Sequence, residues 1–385
     1  MNIALFVKDY ASGEDFSKDG VPVKSGAEFH AENHAKQLVR QGHSVTIFAK
    51  KRHYYTKARE NIDGIDVVRL HEPFRGLEII LRLLTTHRSM QAVYIIGIPK
   101  FAAWAVLMAH LLKIPVTMAL TRRDEIFDRQ HGWRNRIFST CTSYIAISHE
   151  IQRGLLQSGK IEKDKIFVLS QGIDCSRYQK VSAEQKMALR KQYNIPADAR
   201  VLLFCARVVP VKGIDLVQRI WPRIHKAYSD ARLLIVGGGL NSIMTELKSM
   251  SEENDGTVTV VGEVPNPQIY YQMADVYILP SHQEGLPTTL MEAMASGCPG
   301  VVTDIGGCED LIQADISGYK FPIDDDDDFF EKTLLLLKNA ELCDNMGKAA
   351  GHFVQQKCDY PYIIPKLERI IFNALQETRD FLRKN

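Results

Sequence analysis

Glu284 and Glu292 bracket the stretch Glu284-Gly285-Leu286-Pro287-Thr288-Thr289-Leu290-Met291-Glu292, and Ala293-Met294-Ala295-Ser296-Gly297-Cys298-Pro299 follows at once. Gly285 and Pro287 interrupt whatever precedes them. Thr288 or Thr289 is suited to cap, and Leu290 to Ala295 favour a helix that Gly297 and Pro299 stop. Glu284 is therefore expected in a loop and Glu292 on the helix, roughly 6 Å along its axis from Thr288. The free N–H groups of the helix start lie between the two and form an anion site. Ionised carboxylates only accept hydrogen bonds and suit sugar hydroxyls, whereas backbone N–H groups suit phosphate oxygens. A nucleotide sugar presents both. On spacing alone, two Glu so placed more often describe the solvated edge of a helix; the surrounding residues decide between the readings.

With those neighbours the segment resembles the signature of the family-4 retaining glycosyltransferases of GT-B fold: a Glu, seven residues, a second Glu, Gly and Pro between them, and an Ala-Met-Ala-x-Gly run after. Ala206-Arg207-Val208-Val209-Pro210-Val211-Lys212-Gly213 is similar to the family's phosphate-binding Arg and Lys pair. Thr303-Asp304-Ile305-Gly306-Gly307-Cys308-Glu309-Asp310 is similar to its Gly-Gly loop. Met273 to Ser281 looks like the strand before the first Glu, and Ser25-Gly26-Ala27 with Gly42-His43-Ser44-Val45 like the amino-terminal start. The likeness is dense over residues 200–322 and thin before residue 170.

The resemblance implies that Glu284 holds hydroxyls of the donor sugar and Glu292 the ribose hydroxyls. The backbone of Gly285, Leu286, Pro287, Thr288, Thr289 and Leu290 would hold the diphosphate. Gly26, on the loop into the first helix, would approach the diphosphate from the other domain, where a side chain would obstruct it. Two positions depart from the family pattern. Ser25-Gly26 stands for Gly-Gly, and Thr121 stands where the family has a His that contacts the sugar or assists at the reacting centre. Thr121, Arg122 or Asp124 is expected to take over part of that contact with sugar or acceptor, or else the donor preference differs. Gln171 replaces Asn in the family's Asn-Gly-(Val or Ile)-Asp turn, a milder change.

Glu284, Arg207 and Lys212 are the expected catalytic residues. Transfer of a sugar from a nucleotide develops negative charge on the leaving diphosphate as the anomeric bond breaks, so fixed positive charge must meet it. A strand ending at Ala206, a short loop and a helix beginning near Gly213 would aim both cations and a helix start at one spot. Arg grips two oxygens through its planar fork, while Lys acts as a point charge. Losing one such contact in a dry site costs on the order of 3 kcal/mol of transition-state stabilisation, a hundredfold or more in rate. Considered apart from the Glu284 to Pro299 segment, the two cations read as a solvated surface loop.

The 385-residue chain, 45% hydrophobic and 24% charged, has ordinary globular usage and length enough for two cores. Seven scattered cysteines without a C-x-x-C pair argue against a disulfide framework or structural zinc, and a reducing cytoplasm fits best. The apolar run Ile3 to Val7 is too short for a signal peptide and reads as a first buried strand. Phe101 to Leu112, with His110 inside it, is a core helix well short of the ~20 residues a membrane crossing needs. Residues 1–176 hold 25 Lys and Arg against 18 Asp and Glu, leaving 23 against 28 for residues 177–385. A basic first half either faces an anionic membrane surface or phosphorylated acceptor, or is simply solvated.

Alternating strands and helices imply an α/β chain of two Rossmann-like domains with parallel sheets, and by resemblance the GT-B architecture with its interdomain cleft. Strands are expected at Ile3 to Val7, Ser44 to Ala49, Ile65 to Leu70, Ala92 to Ile96, Pro115 to Leu120, Tyr144 to Ile147 and Ile166 to Leu169. A second series runs at Val201 to Cys205, Arg232 to Val236, Val258 to Val261, Val276 to Leu279, Gly300 to Val302 and Gly318 to Phe321. The first domain is expected to span residues 1–175 with a crossover helix over 362–385, and the second residues 176–361, the seam lying near Gln171 to Tyr178, where Gln171-Gly172-Ile173-Asp174 marks a turn.

Four further features have plain readings. Asp324 to Asp328 offers Asp-x-Asp spacings of the kind that bind a divalent metal, but acidic residues stabilising the next helix through its dipole account for it. Gly237-Gly238-Gly239 lacks the full dinucleotide fingerprint and reads as a tight strand-to-helix turn. Phe74 to Arg88, with Leu77, Ile80, Leu81 and Leu84 opposite Arg75, Arg82 and Arg88, reads as an amphipathic helix packed on the sheet, with a membrane-interface helix as the alternative. The basic, aromatic tract Lys50 to Tyr55 has no second stacking platform and reads as surface, so nucleic acid is not an expected partner.

The resulting expectation is a cytoplasmic, retaining, metal-independent glycosyltransferase without cofactor, peripheral to the inner face of the membrane at most. It would move a sugar from a nucleoside-diphosphate sugar to a hydroxyl of a glycan or lipid-linked acceptor, in cell-envelope or exopolysaccharide synthesis by family habit. A nucleotide-sugar epimerase or hydrolase on the same fold, and a non-catalytic nucleotide-sugar or glycan-binding subunit, are the alternatives.

Overall fold

The computed structural model describes residues 1–10, 26–51, 57–86, 89–122, 132–254 and 256–384. Two compact units emerge, residues 1–171 with 361–385 and residues 172–360.

The first unit holds one eight-stranded sheet of β1 (Asn2–Phe6), β2 (Ser44–Lys50), β3 (Arg59–Ile62), β4 (Ile65–Leu70), β5 (Ala92–Ile96), β6 (Val116–Leu120), β7 (Ser143–Ala146) and β8 (Ile166–Val168), in the order β3-β4-β2-β1-β5-β6-β7-β8. All neighbours are parallel except β3 and β4, which pair antiparallel with Ile62 opposite Ile65. That hairpin turns on Asp63 and Gly64, with φ of 52° and 83°, the two left-handed residues a tight hairpin needs. Strand β5 is buried along its whole length. Strands covered on both faces are continuous apolar runs, which is why the sequence displays them. The helix Gly26–Arg40 buries Ala31, Ala35 and Leu38. His43 ties the last helix, Tyr360–Lys384, to this unit through a 2.9 Å contact with Glu368.

The second unit holds a fully parallel sheet of β9 (Arg200–Cys205), β10 (Ala231–Val236), β11 (Val258–Gly262), β12 (Val276–Leu279), β13 (Gly300–Thr303) and β14 (Gly318–Phe321), ordered β11-β10-β9-β12-β13-β14. The chain leaves β9 toward one edge, through β10, and later returns to its other side as β12. The order reverses between β9 and β12, and in open parallel sheets ligands bind outside the carboxyl ends of the strands at such a switch. Val201, Leu202, Leu203 and Phe204 are fully buried, and the helix Ile214–Ala227 presses Ile220, Trp221 and Ile224 into the same core.

A buried polar hub fastens the helix Ala183–Gln192 to this sheet. Asp275 accepts from Arg190 Nη2, Lys186 Nζ and the Val201 N–H, each at 2.7 Å. Burial alone would raise its pKa, but the charges of Lys186, Arg190 and Arg200 outweigh burial and hold it below the usual value.

The structure corrects several local expectations. The polar strand β3 has no counterpart among the expected strands. The face of the helix Arg75–Thr86 expected to pack on the sheet is partly outward, with Leu77, Leu81 and Leu84 exposed while Ile79 and Leu83 are buried. The helix that follows begins within the acidic run, at Asp326, and Asp325 caps it by accepting from the Asp328 N–H. Asp326 pairs with Arg219, Asp327 with Arg223, Asp328 with Lys332 and Asp324 with His282, so ion pairs and a cap account for the run.

Candidate functional site

Four loops at the carboxyl ends of β9, β10, β12 and β13 build the site in the second unit. The loop after β9 carries Arg207 and closes in a single 3-10 turn, Pro210–Lys212. Gly213, at φ 69°, then starts the helix Ile214–Ala227, so the helix begins one residue beyond Gly213. A Cβ on Gly213 would lie 1.8 Å from the Pro280 carbonyl oxygen, and the His282 N–H donates to Val211 O at 2.9 Å. Those two approaches stitch the loop after β9 to the loop after β12. The Gly237-Gly238-Gly239 run supports Arg207 from the other side. The Val208 N–H donates to Gly238 O at 2.8 Å, and Cβ atoms on Gly237 and Gly239 would strike Ala206 O and Val208 O. Gly307, after β13, lies so close to Gly285 and Leu286 that its Cβ would stand 2.3 Å from Gly285 O.

On this frame Lys212 Nζ donates to Glu284 Oε1 at 2.6 Å, and Ser281 Oγ donates to the same oxygen at 2.8 Å. Residues 72 positions apart in sequence thus meet, largely shielded from water. Arg207 is exposed, and among the described residues its guanidinium has no hydrogen-bonding or charged partner. The helix Thr288–Ala295 follows Glu284, but neither Thr288 nor Thr289 caps it. Pro287 holds the cap position and offers no side-chain hydrogen bond, while the Thr289 hydroxyl accepts from Tyr277 at 2.7 Å. The helix start therefore keeps its positive dipole end without a side-chain acceptor at the cap.

Glu292 lies on that helix, as expected, and its side chain is buried. It is 5% exposed and accepts from the Tyr271 hydroxyl at 2.7 Å. Burial pushes its pKa up to about 7, against the pull of hydrogen bonds from Tyr271 and Tyr178 and the charge of Arg177. Tyr277, beneath the loop, feels the charge of both Glu284 and Glu292. Sequence reading missed Ser281, Tyr178, Tyr271 and Tyr277. Tyr277 and Ser281 lie inside the stretch that marked the strand before Glu284, which was the available signal, whereas nothing near Tyr178 pointed to Glu292. Leu286 and Leu290 are buried and anchor the loop and helix rather than presenting side chains.

Gly26 is the exposed first residue of the helix Gly26–Arg40, and a Cβ there would meet nothing within 4 Å. Thr121 and Arg122 follow β6, Thr121 with its hydroxyl near Gly97 and Arg122 exposed. Ser25, Asp124 and residues 52–56 of the basic tract lie outside the described residues.

Residues 185–353 match the glycosyl transferases group 1 family and residues 24–177 match glycosyltransferase family 4. The chain belongs to the family-4 glycosyltransferases, of GT-B fold. TuaC of Bacillus subtilis (strain 168), provisionally named a teichuronic acid biosynthesis glycosyltransferase, is 32% identical over 178 residues. That match covers 46% of this chain and 42% of TuaC, less than half of the relative's own length. CapM of Staphylococcus aureus, a capsular polysaccharide biosynthesis glycosyltransferase, is 24% identical over 322 residues, 79% of this chain and 83% of CapM. Among solved structures, Anabaena Alr3699/HepE in complex with UDP-glucose superposes with a TM-score of 0.73 over 100% of both chains at 16% identity, a likeness of fold. Arg207, Lys212, Glu284 and Glu292 of this family-4 chain all fall within the stretch matched to group 1. Among the described residues no cluster of His, Cys, Asp and Glu is arranged to hold a metal ion, and no helix is long and apolar enough to cross a membrane.

Proposed function

We propose that the protein transfers a sugar from a nucleoside-diphosphate sugar to a hydroxyl of a glycan or lipid-linked acceptor, with retention of anomeric configuration and without an essential metal. The observation that carries the reading is the Lys212–Glu284 pair at the switch point, beside a helix start with no side-chain cap. A diphosphate needs positive charge and N–H donors, a sugar needs an acceptor-only group, and these stand on adjoining loops. Arg207 and Lys212 would meet the two phosphates, with the backbone of Gly285 to Leu290 completing the cradle. Glu284 would accept from sugar hydroxyls, and Glu292, once released from part of its tyrosine contacts, from the ribose.

In the reaction the bond from the anomeric carbon to the diphosphate oxygen breaks as the acceptor oxygen bonds to the same carbon on the same face. The acceptor proton passes to the departing phosphate oxygen. Charge growing on that diphosphate is met by Lys212, Arg207 and the helix dipole, the service a divalent metal performs in other transferases. Support for an envelope or exopolysaccharide role comes from the names of TuaC and CapM, and support for a uridine donor from the UDP-glucose complex of HepE.

Incubating the protein with labelled UDP-, GDP- and ADP-sugars and a panel of glycan and lipid-linked acceptors, with and without EDTA, tests the proposal. Transfer that survives EDTA and drops at least about a hundredfold in Glu284→Gln supports it. Sugar isomerisation or hydrolysis that needs no acceptor, or donor binding without turnover, would replace it with another activity.

A further inference from the structure

We propose that a cavity of about 80 Å³ at the amino ends of β9, β12 and β13 in the second unit binds a phosphate dianion, free or as the monoester of a small molecule. Lys180, Lys186, Arg200, Asp275 and Asp344 stand in its wall. Arg200 opens β9, and Asp275 immediately precedes β12. The loops that hold Lys212 and Glu284 leave the opposite ends of the same two strands. The six residues of β9 separate those ends by roughly 20 Å, so the cavity is no part of the candidate nucleotide site.

Ion pairs at the cavity join five cations to two carboxylates. Asp275 pairs with Lys186, Arg190 and Arg200, and Asp344 with Lys180 and Lys348. Both carboxyls are ionised at neutral pH. The charges of Lys186, Arg190 and Arg200 outweigh burial at Asp275, and hydrogen bonds from Lys180 and Lys348 hold Asp344 down to about 2. An excess of three positive charges remains, and no other acid lines the cavity among the described residues.

Fastening the helix Ala183–Gln192 to the sheet accounts for Lys186 and Arg190, but not for the rest of the cluster. Arg200 Nε is buried without a hydrogen-bond partner among the described residues, although Nη2 donates to Leu336 O at 3.2 Å. Buried donors are normally paired, and an anion in the cavity would supply the acceptor. Lys180 is brought there by a close approach: its stem crosses Gly297, where a Cβ would stand 2.8 Å from Lys180 Cδ. Lys186 Nζ donates to Ala274 O and Asp275, and Lys180 Nζ to Asp344, so each ammonium keeps at least one N–H for a ligand. At about 10–15 Å³ per water the cavity takes roughly five to eight water-sized groups, enough for the five heavy atoms of phosphate. The esterified part of a larger ligand would stay outside. Nothing in this assignment requires sugar transfer.

Isothermal titration of the full chain carrying Lys212→Ala with inorganic phosphate, at constant ionic strength, tests the proposal; that substitution weakens any phosphate binding at the candidate nucleotide site. Lys212→Ala should still bind one phosphate. Adding Lys180→Ala should weaken it by about tenfold, and Lys180→Arg in its place should largely restore it. Lys180 is 44% exposed and Asp344 keeps Lys348, so Lys180→Ala strands no buried charge, and unchanged thermal unfolding without phosphate verifies the fold. Phosphate should raise the melting temperature of Lys212→Ala and leave that of Lys212→Ala/Lys180→Ala nearly unmoved. Glycerol 3-phosphate bound with the same dependence on Lys180 supports the site and marks a phosphomonoester as its ligand; inorganic phosphate bound alone supports it with the free ion. No binding of either anion by Lys212→Ala, or equal binding with and without Lys180, would overturn the site. Nucleotide binding by the wild type would stand after either failure, which keeps the transferase reading separate.

Discussion

Replacing Glu292 by Gln should change how the stability of the second unit depends on pH. In the folded chain this carboxyl is buried and titrates near pH 7, against an ordinary value of 4.5. Between those two values the folded state holds a proton that the unfolded state has released. Stability from this group is therefore fully present below about pH 4.5 and is lost as pH rises through about 7. The difference corresponds to about 3 kcal/mol across the window. Glu292→Gln cannot titrate. It keeps an oxygen to accept from Tyr271, and any misfit of its amide adds a pH-independent offset. Subtracting variant from wild-type unfolding free energies cancels every other titrating group, apart from groups coupled to Glu292 itself. Urea unfolding between pH 5 and 8.5, followed through buried Trp221, should show the wild type losing about 3 kcal/mol relative to the variant as pH rises, with little further change above pH 8. Parallel curves across that range would show Glu292 ionised throughout and refute the burial argument. If ribose hydroxyls bind this carboxylate, donor binding at pH 6.5 should also release a proton, visible as buffer-dependent heats in calorimetry.

Asp275→Ala should lower the unfolding free energy by about 3–5 kcal/mol, because it leaves Arg190 buried beside an empty acceptor position; denaturant titration reads this directly. Gly213→Ala places a Cβ against Pro280 O at a positive φ and should cost at least about 2 kcal/mol, lowering the melting temperature while weakening nucleotide binding through the displaced Lys212 loop.

The doubly wound sheets were legible because buried parallel strands are unbroken apolar runs, as at Val201 to Phe204 and Ala92 to Ile96. Strand β3 was not, since Arg59-Glu60-Asn61 is polar; the Asp63-Gly64 turn was the sign that a hairpin arm preceded it. The caps failed for a local reason: Pro287 occupies the position that Thr288 or Thr289 was expected to fill. Lys212 and Glu284 were singled out by the resemblance but not as a pair, and the burial of Glu292 was not legible. It depends on Tyr178 and Tyr271, which reach it from other elements, and no pattern near Glu292 records them. The outward stripe of the helix Arg75–Thr86 was visible as apolar spacing, but spacing cannot tell which of two apolar sides a sheet will cover.

Isothermal titration of UDP, GDP and ADP against wild type, Lys212→Ala and Glu284→Ala bears most directly on the claim that these loops hold a nucleoside-diphosphate sugar. One nucleotide should bind, Lys212→Ala should weaken it by about tenfold to a hundredfold, and Glu284→Ala should spare the nucleotide while abolishing the added affinity of its sugar conjugate. Equal affinity in wild type and Lys212→Ala for every nucleotide, or no binding by wild type, would contradict the account.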